Sequence, residues 1–481
     1  MPTHRHRARR TSLALAAAGA LLLAGCDDGG TGISSTSGAG APSSPTGGPG
    51  TAAPSPARTG AASASGTSTW PAYHHDGERT GVATGMPAVG PLRIAWRLKL
   101  DGAMYASPIL ANGGVLAATE RDSVYFVKQD KVVWHRSLGT PVTSGLPCGN
   151  IDPLGITGTP VYAASTNTVY VAAELAGPVR HALFALDAGT GRTRWYKSLD
   201  VPGLTPSVQQ QRPALALSHG NVFVAMGALA GDCGAYNGWV IGVHADGSGS
   251  PFRYKTPGTE GGIWTPPGPV TEGDGSLLVS VGNGGATSAS DPYDYSDSVL
   301  RLSATTLARL SSFSPSVWRD DNAGDLDLGS NGPARVHLSA GDRVVIAGKR
   351  GVVYLLRDGN LGGIGGSLAR LSGCAAYGGS AVSGSVVYLP CSDGVRALQV
   401  GASSLRFRWH ASPAGSPVVG GGAVWSIDPS GGTLYALSPS TGAVLRHISV
   451  GTTSRFATPA LRYDGHVLVP TLDGIVSVAG G

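Results

Sequence analysis

Hydrophobic and polar positions after residue 70 alternate between short apolar runs and turn residues, with no long helical period. Segments such as GVLAATERDSVYFV, NTVYVAAELAGPVRHALFALD and RVVIAGKRGVVYLL each hold two β-branched runs around a turn. Runs of this length, bounded by Gly, Asp and Asn, predict β-strands paired as hairpins. Each unit opens on a small-residue or proline dipeptide. These are Ser107-Pro108, Thr159-Pro160, Arg212-Pro213, Gly268-Pro269, Gly332-Pro333, Ser380-Ala381, Ser416-Pro417 and Thr458-Pro459. Their separations are 52, 53, 56, 64, 48, 36 and 42 residues. A recurrence near fifty residues, with four short strands in each period, predicts an all-β fold: an eight-bladed β-propeller of four-stranded blades.

The ends of the repeat predict how it closes. The last unit, ATPALRYDGHVLVPTLDGIVSVAGG, stops after about three strands, while RIAWRLKL at residues 93–100 has no unit of its own. An open propeller would leave an exposed sheet edge. The early strand is therefore expected to complete the last blade.

Composition agrees and removes alternatives. With 74 Gly, 33 Pro and only 14% charged residues, the 481-residue chain has far too little charge for a coiled coil or long-helix protein. The net charge of +5 is misleading, because four Arg and no acid fall in residues 1–25. The remainder is nearly neutral and lacks the basic footprint of a nucleic-acid-binding protein.

The first 25 residues explain that local charge. MPTHRHRARR, a short apolar stretch and Leu23-Ala24-Gly25-Cys26 resemble the signal peptide and lipobox of bacterial lipoproteins. The resemblance implies that Cys26 is lipidated and anchors the chain to the cell membrane, facing the extracytoplasmic side. Residues 26–69 are that Cys and a Gly/Ser/Thr/Ala/Pro linker, too poor in apolar residues to build a core. As a flexible coil it would span about 35–40 Å. The propeller is assigned to residues 70–481 and is expected to be a monomer.

Four cysteines remain. An extracytoplasmic chain with an even set predicts disulfides. Cys374 and Cys391 flank one predicted hairpin that turns near Ser383-Gly384, which leaves Cys148 to Cys233.

The strings Ala185-Leu186-Asp187-Ala188-Gly189-Thr190-Gly191 with Trp195, and Ala436 through Thr441-Gly442, resemble the repeat of the quinoprotein propellers. WPAYHHDGERTG near residue 70 is similar to the lead-in of that superfamily. The overall texture resembles polyvinyl-alcohol dehydrogenases within it. The resemblance implies pyrroloquinoline quinone and Ca²⁺ as cofactors, with an alcohol or polymer as substrate. It implies a role for each of several residues. Trp264 in EGGIWTPPG is the platform under the quinone, and Lys349 in AGKRGVVYLL touches it. Asn283 in VSVGNGG holds the metal, with Asp232 near the position of the family's Glu. Asp325 and Asp327 in WRDDNAGDLDLGSNGP are the candidate catalytic bases. The chain departs from the family in lacking two adjacent cysteines, and it has no C-x-x-C-H haem string. Besides a dehydrogenase with an external electron acceptor, the same repeat builds scaffolds that bind proteins or cell-wall polymers.

Overall fold

The computed structural model describes residues 69–480; the signal peptide, Cys26 and nearly all of the linker lie outside the described residues. Eight antiparallel sheets follow one another along the chain. They span residues 109–137, 161–198, 209–255, 270–314, 334–372, 381–411 and 418–449, and we number them blades 1 to 7. Blade 8 consists of residues 460–479 together with Arg93–Lys99, which pairs antiparallel with Gly474–Ala479 and closes the ring. Blade 4 also takes a fifth, parallel strand, Gly363–Ile364.

Burial explains the strand pattern. The first strand of each blade has only two or three residues. Middle strands such as Gly114–Thr119 and Ser276–Val281 are buried at every position, because neighbouring blades cover both faces. Outer strands alternate, as in Leu405–Ala411, where every second side chain reaches solvent. The core is thus a ring of apolar joints between successive blades, for example Val124 and Phe126 of blade 1 against Val169 and Phe184 of blade 2.

The repeat string has a mechanical role at these joints. Asp187 Oδ1 accepts from the Gly189 and Thr190 amides and the Thr190 hydroxyl at 3.0 Å, closing the turn. Trp134 of blade 1 caps that turn and donates from Nε1 to Ala188 O at 3.1 Å. A Cβ on Gly191 (φ 69°) would lie 2.6 Å from its ring, so conformation and contact both require glycine. Trp409 repeats the arrangement on Pro439 and Gly442 of blade 7.

Residues 70–83 run along the axis and touch blades 1 to 7 and the segment that leads into blade 8. Backbone bonds join Trp70 to Leu110, Pro71 to Tyr162, Gly77 to Thr271, Thr80 to Val382 and Gly81 to Val419. Glu78 reaches Arg335, Tyr73 reaches Thr458, and buried Arg79 donates to Leu215 O at 2.8 Å and to Pro269 O at 3.3 Å. This plug fills the end of the channel where the first strands finish. Both expected disulfides are present, with Cα–Cα separations of 6.1 Å for Cys148–Cys233 and 5.0 Å for Cys374–Cys391.

Candidate functional site

Segments leading into the blades, among them Thr159 and Arg212 of the opening dipeptides, converge on one face of the plug. They enclose a cavity of about 410 Å³. Its floor includes Tyr73 of the plug, and its walls include Tyr105, Trp264, Tyr377 and Phe456.

Trp264, Asn283, Asp325, Asp327 and Lys349 form one cluster at this end. The Lys349 ammonium sits 5.9 Å from the centre of the Trp264 ring. It donates to Asp325 Oδ1 at 2.6 Å and forms a second ion pair with Asp327 Oδ2. Asp327 Oδ1 accepts from the Asn283 amide at 2.8 Å and from Trp264 Nε1 at 3.4 Å. Asn283 Nδ2 donates to Asp325 Oδ1 at 2.8 Å. Local structure places each member. The 64-residue interval between the fourth and fifth dipeptides accommodates the helix Trp318–Gly324, anchored by buried Trp318. Asp325 ends this helix in the left-handed conformation (φ 55°), and Asp327 follows it under the sheet. Gly282 leaves the space that Asp327 and Trp264 enter, since a Cβ there would collide with Asp327 Oδ1.

The two candidate bases differ in environment. Asp327 is 7% exposed, both its oxygens are engaged, and burial raises its pKa despite the Lys349 charge. Asp325 is 76% exposed and uses one oxygen for Lys349 and Asn283, so Oδ2 is free for a proton. Burial works against the Lys349 ammonium, but Asp327 and Asp325 outweigh it and raise its pKa. Asp232 stands apart: it is an exposed loop residue (φ 50°) that accepts the Tyr236 hydroxyl at 2.8 Å.

Another part of the wall carries two guanidiniums with no carboxylate in direct contact, although buried Glu120 and Glu174 lie behind Arg212. Arg212 donates to Gln210 Oε1 at 2.8 Å, and Arg455 lies 4.5 Å over the Tyr377 ring; neither makes an ion pair among the described residues. Three further wall hydroxyls, Thr157 Oγ1, Thr453 Oγ1 and Ser454 Oγ, are buried with no hydrogen-bond partner. Buried hydroxyls are seldom left so, and together they offer hydrogen-bond donors to the cavity. Sequence reasoning missed this wall. One signal was available: Arg212 stands where the other seven dipeptides begin with Ser, Thr or Gly.

Residues 76–227 match the sequence model of the family described as outer membrane protein assembly factor BamB. Quinohemoprotein alcohol dehydrogenase from Comamonas testosteroni superposes with a TM-score of 0.64 at 16% identity, over 85% of this chain and 80% of that one. A europium-containing methanol dehydrogenase gives 0.65 at 12% identity, over 86% and 98%. BamB from Moraxella catarrhalis gives 0.55 at 14% identity, over 81% and 100%. The fold is that of the quinoprotein propellers. No curated protein is significantly similar to the chain in sequence. At these identities the shared property is the propeller itself, which serves dehydrogenases and BamB alike.

The residues present can be tested against the two groups that such dehydrogenases imply. A planar polycarboxylate fits: Trp264 offers a ring face, Lys349 a cation at its edge, and the far wall two guanidiniums and three free hydroxyls. A calcium ion does not fit. Asn283 Oδ1 is buried without a partner, but Asp325 and Asp327 are bridged by the Lys349 ammonium, and Asp232 is held by Tyr236. Among the described residues no three His, Cys, Asp or Glu side chains are grouped to hold a metal ion.

Proposed function

We propose that this is a cell-surface lipoprotein whose propeller binds a planar quinone carboxylate at the open mouth and oxidises an alcohol there. The supporting observation is the wall of unpaired guanidiniums and unpartnered hydroxyls facing Trp264 and Lys349. Bound there, the quinone supplies the two-electron acceptor. The protein's own part is positional and electrostatic. Trp264 supports the ring plane. Arg212 and Arg455, with the Thr157, Thr453 and Ser454 hydroxyls, take carboxylate oxygens. Asp327 holds Lys349, the Asn283 amide and the Trp264 indole in register. Lys349 presents its ammonium at the ring edge, where negative charge develops. Asp325 Oδ2, open to solvent, receives the alcohol proton. The lipid anchor at Cys26 belongs to the same proposal, because that segment lies outside the described residues.

Titrating the purified protein with pyrroloquinoline quinone tests this reading. Tryptophan fluorescence is expected to quench saturably, to the same extent with calcium or with a chelator. Trp264→Ala is expected to remove much of the quench, and Arg212→Gln to weaken binding about tenfold, the loss of one charge-assisted contact. Absence of saturable quenching in both conditions overturns the reading and leaves a propeller scaffold that binds proteins or polymers.

A further inference from the structure

Behind the pocket wall lies a second group of polar side chains that the proposed chemistry leaves unused. Glu120, Asp122, Glu174 and His181 are all at most 1% exposed, at the joint of blades 1 and 2. They are arranged in sequence from the pocket outward. Thr157 lines the pocket and stands beside the buried Glu120 carboxyl. Glu120 Oε2 accepts the Gly155 amide at 2.8 Å, and Gly155 O accepts the Glu174 amide at 3.2 Å. Glu174 Oε2 is 3.5 Å from His181 Nε2, and His181 Nδ1 is 3.0 Å from Asp200 Oδ1. Asp200 is 22% exposed, so the row ends in solvent.

Most of these groups are incompletely satisfied. Glu120 Oε1, both Asp122 oxygens, Glu174 Oε2, His181 Nε2 and Gln211 Oε1 are buried with no hydrogen-bond partner. Isolated orphan atoms are rare in folded proteins, and a contiguous set is the usual mark of ordered internal water. A dry cleft holding three carboxyl groups at this depth would carry a large desolvation cost.

We propose that buried water links these groups into a proton path from Thr157 on the pocket wall, through Glu120, Glu174 and His181, to Asp200 at the surface. Its use rests on the anion-binding reading above: an anion entering the pocket draws a proton inward to Glu120. The groups facing Glu120 set the direction. Burial pushes its carboxyl up to about 8, opposed by the Gly155 amide and Thr157, with Glu174 adding to the rise and Arg212 opposing it. Asp122 is pushed to about 8 by burial and then by Glu120 and Glu174. His181 is held up at about 9, because Asp200 and Glu174 outweigh its burial. At pH 8 a neighbouring negative charge would raise Glu120 further, so binding takes up protons.

Two measurements on the full chain separate this from the pocket reading. In the ligand-free protein, infrared spectroscopy should show protonated carboxyl absorption that fades around pH 8, with the Glu120 component missing in Glu120→Gln and the Asp122 component remaining. The Glu120 proton should exchange within seconds of transfer into D₂O. A Glu120 component absent at pH 7, or one that keeps protium for hours, overturns the path whatever the pocket binds. Calorimetric titration with pyrroloquinoline quinone at pH 8, in buffers of different ionisation heat, should show uptake of up to about half a proton. Glu120→Gln should abolish that uptake with affinity within about threefold of the parent. Binding with no buffer dependence overturns the coupling, whereas no binding at all fails the pocket reading and leaves the infrared test standing.

Discussion

At the plugged end of the channel most charged groups have direct partners, whereas at the open end two guanidiniums have no ion pair. Around the plug, Arg335 pairs with Glu78 at 2.7 Å, Asp342 at 2.9 Å and Asp358 at 2.7 Å, and Arg301 pairs with Asp358 at 2.9 Å and with Glu272 at 3.2 Å. Arg79 is 3% exposed, and its guanidinium is spent on backbone carbonyls. At the mouth, Arg212 and Arg455 make no direct ion pair, and three hydroxyls have no partner. Both ends are made from the same repeat, so the difference lies in what fills them. One is completed by the chain's own residues 70–83, and the other is left for something else to complete. The denser pairing at the plug fits a structural end, and the orphaned polarity at the mouth is what the proposed binding role rests on.

The sharpest way to break this comparison is at the plug. Arg79→Met would strand the carbonyls of Tyr73, Leu215 and Pro269, and should destabilise by about 3 kcal/mol or more. Thermal unfolding that is unchanged in this variant would show that the plug is not structural.

The second test sets one arginine from each end against the other. Arg335→Ala leaves several partly buried acids without their cation and should cost about 3 kcal/mol, read by denaturant unfolding. Arg212→Gln should cost less than Arg335→Ala, since no direct ion pair is lost. If the two variants unfold alike, the assignment of one end to stability and the other to binding fails.

The last test is on pH. Burial raises the Glu120 and Asp122 carboxyls to about 8 and that of Glu272 to about 7. In this range the native state holds protons that the unfolded chain has released, so stability falls as pH rises from the ordinary carboxyl range towards 8. His181, held at about 9, adds stability that is complete below its ordinary value and lost as pH rises through 9. The melting temperature should therefore drop between pH 6 and pH 9, and Asp122→Asn should flatten the drop. A melting temperature that rises over this interval would mean the acids are ionised in the fold.

Much of the architecture was legible in one dimension. The opening dipeptides mark the first strand of every blade, and Arg93–Lys99 closes the last, because a β-blade is a local meander whose turns and apolar runs are contiguous in sequence. Cys374–Cys391 was legible for the same reason, since its partners straddle one hairpin. Trp264, Asn283, Asp325, Asp327 and Lys349 could be picked out by resemblance, but not the division of labour between the two acids. That depends on one standing exposed at a helix end and the other lying buried beside Lys349.

The remaining features belong to the tertiary structure alone. A propeller brings about one short segment from every fifty residues to its axis, so the mouth is assembled from positions with no sequence relation to one another. Arg212 and Arg455 become one wall, and Tyr73 becomes its floor, only when the ring closes. The buried row from Glu120 to Asp200 likewise forms only when blade 1 meets blade 2. Sequence by itself determined the blades, their number and their closure, because those depend on neighbouring residues. Which charges are matched and which are left free depends on distances across the channel, and only the closed ring sets those.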